Sequence, residues 1–209
     1  MTSLFSSVVR LLSVDQPSPL IKHIPTIIGL SIATLVSLLA PTLPISQPLA
    51  FVCSVLVGLL SVVLAVWFTR RGETTSWVLS VPLVALLAIA LLRVGTGGAT
   101  SLFSALIILP VVWIAAEEGR RWILVAGLGT AVAIMMPFLV VGELPDDSVE
   151  WVRGIVAPFV FTVVAAVVNE MSRQNRVQLR SIRALAEEQE SNLAETLEQT
   201  TALHRSEAE

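Results

Sequence analysis

Hydrophobic and polar positions fall along this chain in long blocks rather than in a short period. Six apolar runs, roughly Ile24–Ala40, Pro48–Thr69, Trp77–Leu92, Thr100–Ala116, Trp122–Val141 and Val152–Val168, are separated by short segments that hold most of the charge. Each run approaches the ~20 residues that an α-helix needs to cross about 30 Å of hydrocarbon. No apolar-polar alternation of the β-barrel type accompanies them. The pattern predicts an all-α fold, a polytopic membrane bundle of six transmembrane helices. Because the connections are short, consecutive helices are expected to be antiparallel neighbours.

The two ends of the chain depart from this pattern. Between Leu4 and Leu12 the apolar side chains gather opposite Ser3, Ser6, Ser7 and Arg10, over too few residues to span a bilayer. Residues 1–15 are therefore expected as an interfacial amphipathic helix, broken by the prolines at Pro17 and Pro19. Residues 16–170 make up the six-helix domain. After Val168 the last run continues, without Pro or Gly, into a charged segment at 171–209. There a three-four spacing runs through Leu179, Ile182, Ala186, Gln189, Leu193, Thr196, Thr200 and Leu203. It predicts a cytoplasmic, coiled-coil-like signalling helix whose seam is apolar at first and then diluted.

Composition agrees with a membrane protein: mean hydropathy is +0.82, 55% of residues are apolar and only 14% are charged. The placement of charge adds an orientation. Of 13 basic residues, Arg93 and Arg153 fall on one side of the predicted bundle and the other eleven on the opposite side. The sparse side also carries Glu143, Asp146, Asp147 and Glu150. The positive-inside rule then puts both termini in the cytoplasm of a multi-pass protein of the bacterial inner membrane. Arg173, Arg176, Arg180 and Arg183 precede the acidic half of the tail and suit anionic headgroups, so no nucleic acid is required as a partner. Trp67, Trp77, Trp113 and Trp122 near the cytoplasmic ends, and Trp151 at the outer end, are expected as interface anchors. No charged leader precedes a cleavable apolar segment, so no signal peptide is expected.

Candidate chemistry is sparse. Cys53 is the single cysteine, and His23 and His204 are too far apart in the chain to suggest a shared metal. No protease, hydrolase or nucleotide-binding motif is present, and the runs hold no acidic pair of a proton pathway or inverted repeat of a transporter. No catalytic, cofactor-binding or metal residue is therefore expected, and the segment is not read as an enzyme. The glycine-rich stretch after Arg93 is the most unusual connection. Arg93, Gly95, Gly97 and Gly98 form a candidate outer-face ligand or anion site, a guanidinium beside exposed backbone amides. A plain hairpin, with Arg93 paired to the acidic loop, is the competing reading. Pro82, Pro110, Pro137 and Pro158 lie within or near the ends of the runs, and Pro158 is a candidate hinge in the last helix.

Two short stretches carry a resemblance. Leu203-His-Arg-Ser-Glu-Ala-Glu209 resembles the lead-in helix that precedes PAS domains in bacterial sensors. Leu91-Leu-Arg-Val-Gly-Thr-Gly-Gly98, followed by Leu109-Pro-Val-Val-Trp113 and Gly119-Arg-Arg121, looks like the multi-span N-terminal regions of actinobacterial sensor proteins. Those regions precede PAS and GGDEF/EAL domains, or histidine kinase domains. The resemblance implies a membrane sensory and anchoring input module, truncated before a PAS-like domain. It would act as a parallel homodimer and relay a signal through its last helix to an output domain for cyclic-di-GMP turnover or histidine kinase activity. The motifs of those enzymes lie outside these residues. A stand-alone small transporter or channel, and an inert dimerising anchor, stand as the other readings.

Overall fold

A computed structural model of the chain describes residues 18–40, 45–72, 76–142 and 148–207. The expected interfacial helix at 1–15 lies outside them, as do Glu143, Asp146 and Asp147 of the acidic loop. Among the described residues every regular element is helical. Six α-helices follow in order: α1 Pro19–Leu39, α2 Pro48–Arg71, α3 Ser80–Gly95, α4 Ile108–Ala116, α5 Arg121–Val141 and α6 Ser148–Glu207. Short 3-10 segments lead into α3 (Ser76–Leu79) and α4 (Leu102–Ile107).

Local chemistry sets the boundaries. Ser18 caps α1 by accepting a hydrogen bond from the Ile21 amide at 3.4 Å, and prolines occupy the first position of both α1 and α2. A proline there gives up only an amide that would have no helical partner. At the other ends, α2 and α5 stop at Gly72 (φ 64°) and Gly142 (φ 76°), left-handed caps that a side chain would disfavour.

Five helical segments are long and apolar enough to cross a membrane: Pro19–Leu39, Pro48–Arg71, Ser76–Gly95, Arg121–Val140 and a stretch of α6 within Gly154–Ala186. The fourth apolar run differs from its expectation. Its helix covers Leu102–Ala116, and the first six residues are wound as 3-10. The switch to α falls beside Pro110, which lacks the amide that would bond back to Leu106. A 3-10 turn rises about 2.0 Å per residue against 1.5 Å, so the segment still reaches about 25 Å.

α3 is the axis of the bundle: 72% of its apolar window is buried, against 22% for α1, 28% for α2, 33% for α5 and 11% for α6. Leu86 and Ile89 of α3 pack with Val111 and Ile114 of α4, Ala126 and Ala133 of α5 and Ala165 of α6. The outward faces keep Ile28, Ile32, Leu56, Leu59, Ile155 and Phe159 exposed. A surface so broadly apolar suits lipid better than water, and the all-helical fold is compatible with a membrane bundle.

Small residues let the helices approach. A Cβ on Gly95 would lie 2.8 Å from the Phe51 nitrogen, and Ser54 donates to the Ala88 carbonyl at 2.8 Å across the same α2–α3 contact. Hydrogen bonds at the two ends show that α1, α2 and α3 alternate in direction. At the end carrying Arg70, Arg71, Arg120 and Arg121, the basic end, the Leu20 amide donates to Thr69 Oγ1 at 3.1 Å. At the opposite, glycine end the Ser46 amide donates to the Gly95 carbonyl at 2.9 Å.

Four tryptophans sit at the periphery. The Arg71 guanidinium lies 4.1 Å from the Trp67 ring and that of Arg121 4.9 Å from Trp122, while Trp77 and Trp151 are exposed. Trp113 corrects the expectation of an interface anchor. It is 5% exposed and packs with Ala65, Phe68, Val78 and Val81, because it falls on the buried face of α4 with Val111 and Ile114, while Ile108 and Val112 stay exposed.

Candidate functional site

The polar side chains of the bundle collect in three places, and the most connected is the turn between α4 and α5 at the basic end. A helix ends with carbonyls that have no intrahelical partner. Here α6 supplies the donors. Asn169, 5% exposed, points Nδ2 at the carbonyls of Ala115 (2.7 Å), Glu117 (3.0 Å) and Gly119 (3.4 Å). Two helical turns on, Arg176 donates to the Ala116 carbonyl at 2.8 Å, placing a cation at the negative end of the α4 dipole. From α1, Lys22 reaches Glu117 Oε1 at 2.9 Å. Arg180 adds an exposed ion pair to Glu118 at 3.6 Å, a contact that contributes little by itself. One turn thus fastens α1, α4, α5 and α6 together. Asn169 carries no sequence signal beyond being a lone amide at the end of an apolar run.

At the glycine end the structure separates the residues that the sequence grouped into an anion site. Gly95 is buried against Phe51. Gly97 (φ 105°) and Gly98 (φ 61°) form the left-handed turn, and the Gly97 amide donates to Ser46 Oγ at 3.0 Å. Arg93 is 2% exposed and points into the bundle. Its Nε donates to Ser104 Oγ at 2.9 Å and its NH1 to the Ala133 carbonyl at 2.6 Å. Pro137 explains this target. It sits inside α5, four residues after Ala133, and so cannot supply the amide that would ordinarily bond to that carbonyl. Arg93 therefore mends a helix opened by a proline, rather than facing the outside beside free amides.

The third place lies between α1 and α2. His23, fully buried, shares a 2.9 Å hydrogen bond between Nε2 and Ser61 Oγ. Its ring stands 5.7 Å from that of Trp113, tilted by 49°. The Ser61 hydroxyl donates to the Gly58 carbonyl at 2.7 Å. The direction of the His23–Ser61 bond follows the tautomer of the imidazole. Among the described residues, neither His23 Nδ1 nor Trp113 Nε1 has a hydrogen-bond partner. His23 and Ser61 line a cavity of ≈ 460 Å³ that extends along α1 to Leu38. The serines of α2 on this cavity, Ser54 and Ser61, lie seven residues apart and so share a helical face. That spacing is a signal the sequence offered.

Along α6, Pro158 is accommodated in an unbroken helix, and Thr162 Oγ1 donates to its carbonyl at 2.7 Å. The seam residues Leu179, Ile182, Ala186 and Leu193 are exposed, and Leu203 lies in the same helix. Among the described residues, no group of three His, Cys, Asp or Glu side chains is placed to hold a metal ion. Comparison with protein-family models, curated proteins and solved structures yields no match.

Proposed function

We propose that the chain is the membrane input module of a signalling protein. In this reading six helices cross a bacterial inner membrane with both termini in the cytoplasm, two copies pair in parallel, and α6 carries a displacement to a downstream output domain. That domain would act in cyclic-di-GMP turnover or as a histidine kinase. The observation that carries the reading is the course of α6. One helix of 60 residues begins within the bundle, is fastened by Asn169 and Arg176 to the turn that also holds α1, and continues well beyond it. A change in the packing of α1 or α4 therefore has a direct route to the tail. Three further points support the reading. The 3-10 start of the fourth run gives it nearly the reach of a span. The basic end carries the cytoplasmic charge signature. The tail leaves the seam residues Leu179, Ile182, Ala186 and Leu193 exposed in a single copy, a surface that a second tail would cover.

The test is phase-dependent. Two residues inserted after Gln189 turn the rest of the helix by about 200° while lengthening it by only about 3 Å. In the full-length protein this insertion should abolish regulation of output, and a seven-residue insertion should largely restore it. Equal output from both insertions would refute a relay through the helix. Replacing 16–170 with an unrelated dimeric anchor separates sensing from anchoring, since retained regulation would favour the inert anchor.

A further inference from the structure

The three-four spacing of the tail seam does not start in the tail. Followed upward from Ile182 and Leu179, it runs without a break through Asn175, Ser172, Val168 and Ala165. A 3.5-residue period drifts by only about 20° per heptad on a straight helix, so these positions form one continuous stripe along α6. The surroundings of that stripe change with height. Ala165 is 0% exposed in the core of the bundle, and Val168 packs against the same core. Ser172 is half-buried, whereas Asn175, Leu179 and Ile182 are exposed, Ile182 to 62%. The face that holds the bundle thus becomes, two turns lower, the bare seam. The change falls at the joint: Asn169 and Arg176, on the same side of the helix as Ser172, hold the carbonyls at the end of α4 and in the α4–α5 turn. The chemistry of the seam suits an identical neighbour. From Ser172 to Leu193 it has no charged member, and its polar members Ser172, Asn175 and Gln189 each carry a donor and an acceptor. In a parallel pair each meets its own copy at the same level. Arg173, Arg180 and Glu188 fall on outer heptad positions, where parallel tails keep like charges apart. Hydrocarbon does not suit as cover below Leu179, because Arg180, Arg183 and Glu188 share its turns.

We infer that the α4–α5 turn and the α6 helix of a second copy compete for this one stripe, and that the contest is decided between Asn169 and Arg176. Two chains cannot fill the same volume. While Asn169 and Arg176 hold the carbonyls of Ala115, Ala116, Glu117 and Gly119, the pair begins at Leu179. A pair that reaches Ser172, one heptad higher, requires both side chains to let go. Loosening the turn therefore lengthens the paired helix toward the membrane, and pairing at Ser172 loosens the turn, since such a coupling is reciprocal. The inference rests on the parallel pairing proposed above and adds the contact that regulates it.

The experiment uses the full chain in liposomes, with Cys53→Ser removing the single native thiol. Single cysteines are then introduced and oxidised with copper-phenanthroline. Ile182→Cys should cross-link readily and Ser172→Cys several-fold more slowly. Gln174→Cys, about 160° round the helix from Ser172, should stay monomeric. Adding Asn169→Ala should raise the Ser172→Cys rate about tenfold, the effect of losing one or two hydrogen bonds to the turn, and leave the Ile182→Cys rate unchanged. A second measurement leaves the joint intact. Closing the disulfide at Ser172→Cys should accelerate hydrogen exchange of the amides at 117–123, and closing it at Ile182→Cys should not. Failure of Ile182→Cys to cross-link, or equal cross-linking of Gln174→Cys, would refute the parallel pairing itself. If Ile182→Cys cross-links, a Ser172→Cys rate unmoved by Asn169→Ala, or turn exchange unmoved by the Ser172→Cys disulfide, would leave the pairing standing and overturn the competition.

Discussion

The pairing of Arg93 with a carbonyl released by Pro137 makes a quantitative prediction. Arg93 is 2% exposed and its NH1 donates to the Ala133 carbonyl at 2.6 Å. A hydrogen bond from a charged donor contributes about 1.5–3 kcal/mol, and a buried acceptor left alone costs about 1–3 kcal/mol. Arg93→Met removes the donor and strands the carbonyl, offset in part because a buried charge is removed as well. The net loss should be about 2 kcal/mol. Pro137→Ala restores an amide at the position that ordinarily bonds to Ala133, and alone it should change stability by under about 1 kcal/mol. The combination carries the information. With the amide restored, Arg93→Met no longer leaves the carbonyl bare, so the double variant should recover about 1–2 kcal/mol relative to the sum of the single changes. Reversible unfolding in mixed detergent-SDS micelles, followed by tryptophan fluorescence, measures each corner of this cycle. An isotope-edited infrared band at Ala133 reports directly whether its carbonyl is bonded. A coupling below about 0.5 kcal/mol would mean that the two residues act independently, and the explanation of why Arg93 is buried would fall.

The glycines provide a contrast in the same assay. Gly95→Ala forces a Cβ to within 2.8 Å of the Phe51 backbone, which cannot yield, and should cost more than about 2 kcal/mol. Gly58→Ala meets only Leu30 at 3.7 Å and Ala88 at 3.9 Å and should be neutral or mildly stabilising. Asn169 works as a donor, so the nearly isosteric Asn169→Asp, which sets a carboxylate against three carbonyls, should disturb the joint more than Asn169→Ala. Hydrogen exchange of the amides at 117–123 should accelerate in that order, and faster exchange in Asn169→Ala than in Asn169→Asp would show that the amide's proton donation is unimportant.

The helices were legible because membrane spans are written in blocks. Prolines at Pro19 and Pro48 and glycines at Gly72 and Gly142 mark their ends as local backbone chemistry requires. The fourth run was less so, since a count of apolar residues assumes one rise per residue and cannot see a 3-10 start. Arg93 was misplaced because its neighbours in sequence are a turn, whereas its partner is made by a proline 44 positions away (137 minus 93). Which side of an all-apolar helix faces inward is likewise weakly written. The blocks place Trp113 and His23 near span ends, but not against each other in the interior. Asn169 was invisible for the same reason, as its acceptors belong to the end of another helix.

The position of Asn169 within α6 has a mechanical consequence. From Ser148 to Asn169 is about 32 Å of helix, and from there to Glu207 about 57 Å. Treated as a fulcrum, the joint gives the tail the longer arm. A 5° tilt that shifts the inner end by about 3 Å sweeps the far end through about 5 Å, half the ~8–10 Å spacing of two packed helices. A motion small enough to be absorbed by side-chain adjustment inside the bundle would therefore be magnified, at the tip, to the scale on which paired helices change partners' grooves.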